Sequence, residues 1–122
     1  MMEVEASTPT IFQMEELVKN TVHEIAEIED KVSTLYGKIE QMQWQIIDTE
    51  DYKIPIEDKY LALGLTCVDD LWAEINAKLL AIADLDDQCK EMKEKLANYK
   101  TQLEYLEIEQ LLDDFKTNKL GN

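Results

Sequence analysis

The stretch that decides the fold runs from residue 25 to residue 46 and reads IAEIEDKVSTLYGKIEQMQWQI. Its apolar side chains recur at steps of three and four residues: Ile25, Ile28, Val32, Leu35, Ile39, Met42 and Ile46. This spacing places them on one face of an α-helix, whereas a half-buried strand would alternate apolar and polar residues. The stretch therefore predicts a long helix with a continuous apolar seam.

The same heptad extends on both sides of this stretch, and a second heptad begins at Val68. With Ile11 as position a, every a site up to Ile46 is β-branched, and ten of the twelve a and d sites up to Thr49 are apolar. Lys78 is the one charged residue on the second seam, and we expect its neighbour Leu79 to cover that layer. Both seams exceed the three or four heptads that identify a coiled coil.

We therefore predict an all-α fold, an elongated coiled coil of two long helices joined by a short break. The predicted helix-pairing interface consists of Val18, Ile25, Ile28, Val32, Leu35, Ile39, Met42, Ile46, Val68, Leu71, Ile75, Ile82, Leu85, Cys89, Met92, Leu96, Tyr99, Leu103 and Leu106. The predicted segments are a flexible N-terminus (1–7), helix one (8–49), a connector (50–65), helix two (66–117) and a flexible C-terminus (118–122).

Three capping signals mark the helix starts. Helix one begins either at Thr8 with Pro9 in the first turn, or one turn later with Thr10 and Gln13 as a capping box. Thr66 with Asp69 is the corresponding signal for helix two.

The connector DTEDYKIPIEDKYLALGL, residues 48–65, has no heptad and allows two structures. Tyr52, Ile54 and Ile56 alternate with polar residues, which is typical of a small β-hairpin. Alternatively, Pro55 opens a short helix that Gly64 closes. A proline confines a strand to the edge of a sheet, and this slightly favours the short helix.

The composition restricts the classes of partner. The chain is 45% apolar and has a formal net charge of −15, with lysine as its only strongly basic residue type. An acidic chain without arginine is repelled by nucleic acid, and arginine is the residue best suited to phosphate contacts. No window approaches the roughly 18 apolar residues of a membrane span. We expect neither nucleic-acid binding nor membrane insertion.

The two cysteines and the N-terminal residues indicate a compartment. MMEVEASTPT lacks the basic and apolar regions of a signal peptide, and Cys67 and Cys89 are then most simply reduced thiols. We expect an intracellular protein, cytoplasmic or nuclear.

No motif for catalysis is found. His23 is the single histidine, the acidic pairs lack the spacing of a calcium loop, and there is no glycine-rich phosphate loop. We therefore expect no enzyme activity, no cofactor, no metal and no small-molecule substrate.

Several large apolar residues fall outside the two seams. We expect those at e positions, Val22, Tyr36, Trp72 and Leu79, to widen the buried stripe. Trp44 lies at position f, opposite the seam, and tryptophan is enriched at interface hot spots. The hypothesis is a second interface for a further chain, formed by Trp44, Ile47 and Trp72.

Two functions follow as hypotheses. The first is a non-enzymatic coiled-coil subunit of a larger hetero-oligomeric complex, a scaffold or spacer that binds other coiled-coil chains, as in cytoskeletal, spindle, kinetochore or trafficking assemblies.

The second function follows from a resemblance. The chain has a long predicted helix, then the connector stretch YKIPIEDKYLALGL, then a second long predicted helix. This layout resembles the β-type subunit of prefoldin, a holdase chaperone. That resemblance implies a β-hairpin at residues 52–65 and contacts with unfolded clients around Ile11, Phe12, Leu111 and Phe115.

Overall fold

The protein is all-α, and its two long helices pack against each other. The computed structural model describes the backbone of residues 9–120 and the side chains of residues 9–117. The helices are α1 (Ile11–Tyr52), α2 (Asp58–Leu61) and α3 (Val68–Leu120). No strand occurs in this part of the chain. The predicted flexible N-terminus, residues 1–7, and residues 121–122 lie outside the described residues.

The α1 helix begins with the second of the two predicted capping signals. The backbone N–H of Gln13 donates to Oγ1 of Thr10 at 3.0 Å, and the N–H of Thr10 donates to Oε1 of Gln13 at 2.9 Å. Two backbone donors of the first turn are thereby satisfied reciprocally. The Thr10–Gln13 capping box is confirmed, and α1 starts at Ile11.

The connector contains the short helix α2, and the β-hairpin alternative is wrong. Lys53 adopts a left-handed conformation with φ of 59°, and the N–H of Ile54 donates to the carbonyl of Asp48 at 3.0 Å, which ends α1. Gly64, with φ of 82°, follows the short helix as predicted. Helix α2 itself starts at Asp58, three residues after Pro55, and turns Tyr60 into the core.

The side chain of Gln45 holds residues 55–57 against α1 through hydrogen bonds. Its Oε1 accepts the N–H of Glu57 at 3.2 Å, while its Nε2 donates to the carbonyl of Pro55 at 3.3 Å and to Oγ1 of Thr49 at 2.9 Å. Gln45 is only 3% exposed. The oxygen and the nitrogen of the buried Gln45 amide are thus both hydrogen-bonded. The Pro55 carbonyl and the Glu57 N–H that bond to it are the backbone groups that would otherwise pair with a neighbouring strand.

Helix α3 begins with a cap that differs from the predicted one by one residue. Oδ2 of Asp70, not Asp69, accepts the N–H of Thr66 at 2.9 Å and its hydroxyl at 3.1 Å. Hydrogen bonds from the backbone and hydroxyl of Thr66, and then from the thiol of Cys67, hold the pKa of Asp70 below its ordinary value. The reason for the difference is that α3 starts at Val68, which makes Asp70 its third residue.

The chain divides into two compact units, and each has its own buried residues. Unit 1 comprises Met1–Ala26 and Lys90–Asn122, and unit 2 comprises Glu27–Cys89. In unit 1 the buried side chains within residues 9–117 are Met14, Thr21 and Ile25. In unit 2 one cluster joins all three helices and contains Ile39, Met42, Ile46, Tyr60, Leu71, Ile75 and Ile82.

Candidate protein-binding surfaces

The predicted helix-pairing residues lie on the faces by which the two long helices pack, and none of them is fully exposed. All a and d positions from Ile11 to Thr49 on α1, and from Val68 to Leu106 on α3, are buried or half-buried. Since the two long helices pack against each other, their seams are already occupied within one chain. The exposed large apolar side chains lie outside the a and d positions.

The e positions are exposed, and the expectation that they widen the buried stripe is wrong. Val22, Tyr36, Trp72 and Leu79 each keep close to half of their surface accessible to solvent. The physical reason is that two helices packed through a and d positions leave their flanks open, whereas burial of the e positions requires a further helix.

Three of these side chains form the walls of one groove in unit 2, which we call the aromatic groove. Tyr36 of α1 faces Trp72 and Leu79 of α3 across it, and buried Ile39 and Ile75 form its floor. Its volume is about 440 Å³. Tyr36 is 51% exposed and Trp72 is 45% exposed, so both aromatic side chains are accessible to a partner.

The rim of the aromatic groove is polar and acidic. Glu40, Gln43 and Asn76 line it beside the apolar walls. Unit 2 as a whole carries fifteen acidic residues and five lysines, a formal balance of −10. An apolar floor with a polar rim is the usual construction of a protein interface, and the charge favours a basic partner.

The three residues of the predicted second interface do not share this groove. Trp72 lines it, but Trp44 and Ile47 are not among the residues that do. Trp44 is 60% exposed on α1, and Ile47 is exposed as well. The predicted second interface combined Trp44, at an f position, with Trp72, at an e position. An f position faces away from the seam whereas an e position flanks it, so the two tryptophans do not line the same groove.

A second groove of unit 2 is lined by three of its five lysines, Lys38, Lys59 and Lys78. Lys78 forms an ion pair with Glu74 at 3.0 Å, and Lys59 lies 3.7 Å from Glu57. Leu79 does not cover the layer of Lys78, because it is exposed and lines the aromatic groove instead. The charge of Lys78 is accommodated by Glu74, one helical turn earlier.

The last part of α3, in unit 1, presents an apolar stripe to solvent. Among the side chains that the structure describes, Leu106 is the last half-buried one, and every side chain from Glu107 to Thr117 is exposed. Ile108, Leu111 and Leu112 recur at steps of three and four within this segment, and Phe115 continues the pattern. We call Ile108, Leu111 and Leu112 the α3 stripe.

Residues with chemical reactivity are scattered. His23 and Cys67 are exposed, and Cys89 is buried in unit 2. Among the residues that the structure describes, no three histidine, cysteine or acidic side chains are grouped so as to hold a metal ion. No helix within residues 9–120 is both long and apolar enough to cross a bilayer.

Comparison with protein families, with curated proteins and with solved structures finds no match for this chain. Two features were missed by sequence reasoning. The Gln45 contacts link residues ten and twelve positions apart, which no periodicity reveals. The aromatic groove is formed by e positions of two different helices, α1 and α3, and the sequence does not show which of these positions lie next to each other.

Proposed function

We propose that this protein is a non-enzymatic helical subunit of an intracellular hetero-oligomeric complex, and that it binds a helix of another chain in the aromatic groove. The observation that carries the proposal is the exposure of Tyr36, Trp72 and Leu79 around an apolar floor. Tryptophan and tyrosine are the residue types most enriched at interface hot spots. A partner helix would bury the e positions that the two-helix packing leaves open.

The charge of unit 2 favours a partner whose apolar residues are flanked by lysine or arginine. Glu40 lies on the rim of the groove, where a basic side chain can pair with it. Such a pair at an interface edge adds little affinity but accelerates association and excludes acidic partners. The apolar contacts with Trp72 and Tyr36 would supply most of the binding free energy.

Affinity purification of the tagged full chain from the cells that express it tests this proposal. The expected result is a stoichiometric helical partner chain, which binds the purified protein again when both are mixed. Trp72→Ala should weaken that complex by at least tenfold, which corresponds to about 1.4 kcal/mol. Trp44→Ala is the matched control, because Trp44 is equally a surface tryptophan but does not line the groove.

Two results would contradict the proposal. Equal losses of binding for Trp72→Ala and Trp44→Ala would show that the aromatic groove is not the contact. A chain that has no stoichiometric partner, but that suppresses the aggregation of a denatured client protein, would instead support the chaperone hypothesis.

A further inference from the structure

We infer that the α3 stripe is a second docking site, separate from the aromatic groove, and that it takes an amphipathic helix with basic flanks from a different chain. The stripe lies in unit 1, whereas the aromatic groove lies in unit 2. If both sites are occupied, the protein links two helical partners. The inference therefore goes beyond the proposed function and can hold or fail independently of it.

The amphipathic pattern argues for a helical occupant. Ile108, Leu111 and Leu112 are exposed at a spacing of three and four residues, which is the spacing of a helix-pairing surface. They fall at positions f, b and c of the α3 heptad, so this apolar surface lies on the face of the helix opposite the seam that includes Leu106, and the seam does not cover it. A helix laid along this surface would bury all three side chains in one contact.

The charges around the stripe determine which kind of helix fits. Residues 107–117 carry four acidic residues and one lysine. At 100° per residue, Glu107 and Asp114 lie along one side of the stripe, seven residues apart. These are the positions that select partners through interhelical ion pairs in coiled coils, so lysine or arginine at the facing positions is favoured.

The same charges disfavour a second copy of this chain. In an antiparallel pair of two α3 segments, Glu107 and Asp114 of one copy would face the same carboxylates of the other. Like charges at facing positions destabilise a helix pair, and each chain has a net charge of −15. A different chain with basic flanks avoids this repulsion.

Two fluorescein-labelled peptides of 21 residues would test the inference against the full-length protein. Both carry isoleucine and leucine at a and d positions; one has lysine at every e and g position, and the other has glutamate. Like charges keep each peptide from pairing with itself. We expect the lysine peptide to bind, as measured by fluorescence anisotropy, with affinity that falls as salt is added. The glutamate peptide should not bind.

Matched variants locate the site. Leu111 is 68% exposed and Leu80 is 71% exposed, and both are leucines on α3, so neither substitution should affect folding. Leu111→Ser should weaken binding of the lysine peptide by about tenfold or more, whereas Leu80→Ser should leave it within about twofold. Trp72→Ala should also leave it unchanged, which separates this site from the aromatic groove.

Three outcomes would overturn the inference. Equal binding by Leu111→Ser and Leu80→Ser would mean that the peptide is held by charge alone. Loss of binding in Trp72→Ala, with Leu111→Ser unaffected, would assign the peptide to the aromatic groove. Sedimentation equilibrium that finds a dimer of the native chain, and a monomer of Leu111→Ser, would show that a second copy occupies the stripe.

Discussion

Replacing Gln45 with alanine should destabilise the protein by disconnecting the segment before α2 from α1. The substitution removes three hydrogen bonds, to Pro55, to Glu57 and to Thr49. Each such bond contributes about 1 kcal/mol net, and the lost buried methylene contributes about 0.8 kcal/mol more. Alanine has no side-chain conformational entropy to lose on folding, which offsets roughly 1 to 1.5 kcal/mol of this loss in stability. Water can also reach the exposed residues Pro55 and Glu57 and replace part of the lost hydrogen bonding.

We therefore expect the free energy of unfolding to fall by about 2 kcal/mol in Gln45→Ala. For a chain of 122 residues this corresponds to a decrease in Tm of about 8 °C. Urea unfolding followed by circular dichroism at 222 nm measures the first quantity, and a thermal scan measures the second. Amide hydrogen exchange at Glu57 provides a local readout, since its N–H loses the acceptor on Gln45.

Gln43→Ala is the control, because Gln43 is exposed on the same helix and should change stability by less than about 0.5 kcal/mol. Gln45→Glu sharpens the test. The introduced carboxylate cannot donate to the Pro55 carbonyl, and burial disfavours its charge. The variant should be least stable at neutral pH and should recover as the carboxyl is protonated in acid. The reasoning is refuted if Gln45→Ala unfolds like Gln43→Ala and the Glu57 amide remains equally protected.

Three further changes have expected outcomes. Lys53→Gly should raise the free energy of unfolding by up to about 1 kcal/mol in urea titrations, because the left-handed φ of 59° strains any side chain with a Cβ; an unchanged midpoint would contradict this. Gly37→Ala should also stabilise by about 1 kcal/mol, because a Cβ there meets no atom within 4 Å and alanine favours the helix; a loss of stability would show an unrecognised contact. Thr66→Val should raise the pKa of Asp70 in an NMR titration, since one of its hydrogen bonds is lost. Because the folded-state pKa of Asp70 is depressed, its contribution to stability is present at neutral pH and is lost as pH falls through that pKa; Thr66→Val should reduce the contribution, and an unmoved titration midpoint would contradict the cap.

The sequence was sufficient for the helices because their signal is repeated many times. Four of the six a and d pairs from Ile11 to Thr49 are wholly apolar and every a site is β-branched, so that Thr21 or Gly37 cannot obscure the pattern. The Thr10–Gln13 box was one of two starts that the sequence offered for α1, and it could be recognised because a capping box is local and spans only four residues.

The connector and the binding surfaces were harder to predict because distant groups decide them. Alternation of Tyr52, Ile54 and Ile56 is compatible with a strand, but in the folded chain the backbone of Pro55 and Glu57 bonds to the distant side chain of Gln45. Similarly, the sequence places Trp72 and Tyr36 at e positions but does not show whether a further helix covers them. Their exposure in the folded chain is what identifies the aromatic groove.

The unequal environments of the two cysteines have a practical consequence. Cys67 is exposed beside the first turn of α3, while Cys89 is buried in the seam. A maleimide dye should therefore react only with Cys67 in the native chain, without any engineered thiol. Because Cys67 lies close to Trp72 in the sequence, the fluorescence of the dye would report on a partner that binds near Trp72. In air-oxidised preparations the same accessibility would limit covalent crosslinking to pairs of molecules joined through Cys67, which non-reducing electrophoresis would reveal as a single additional band.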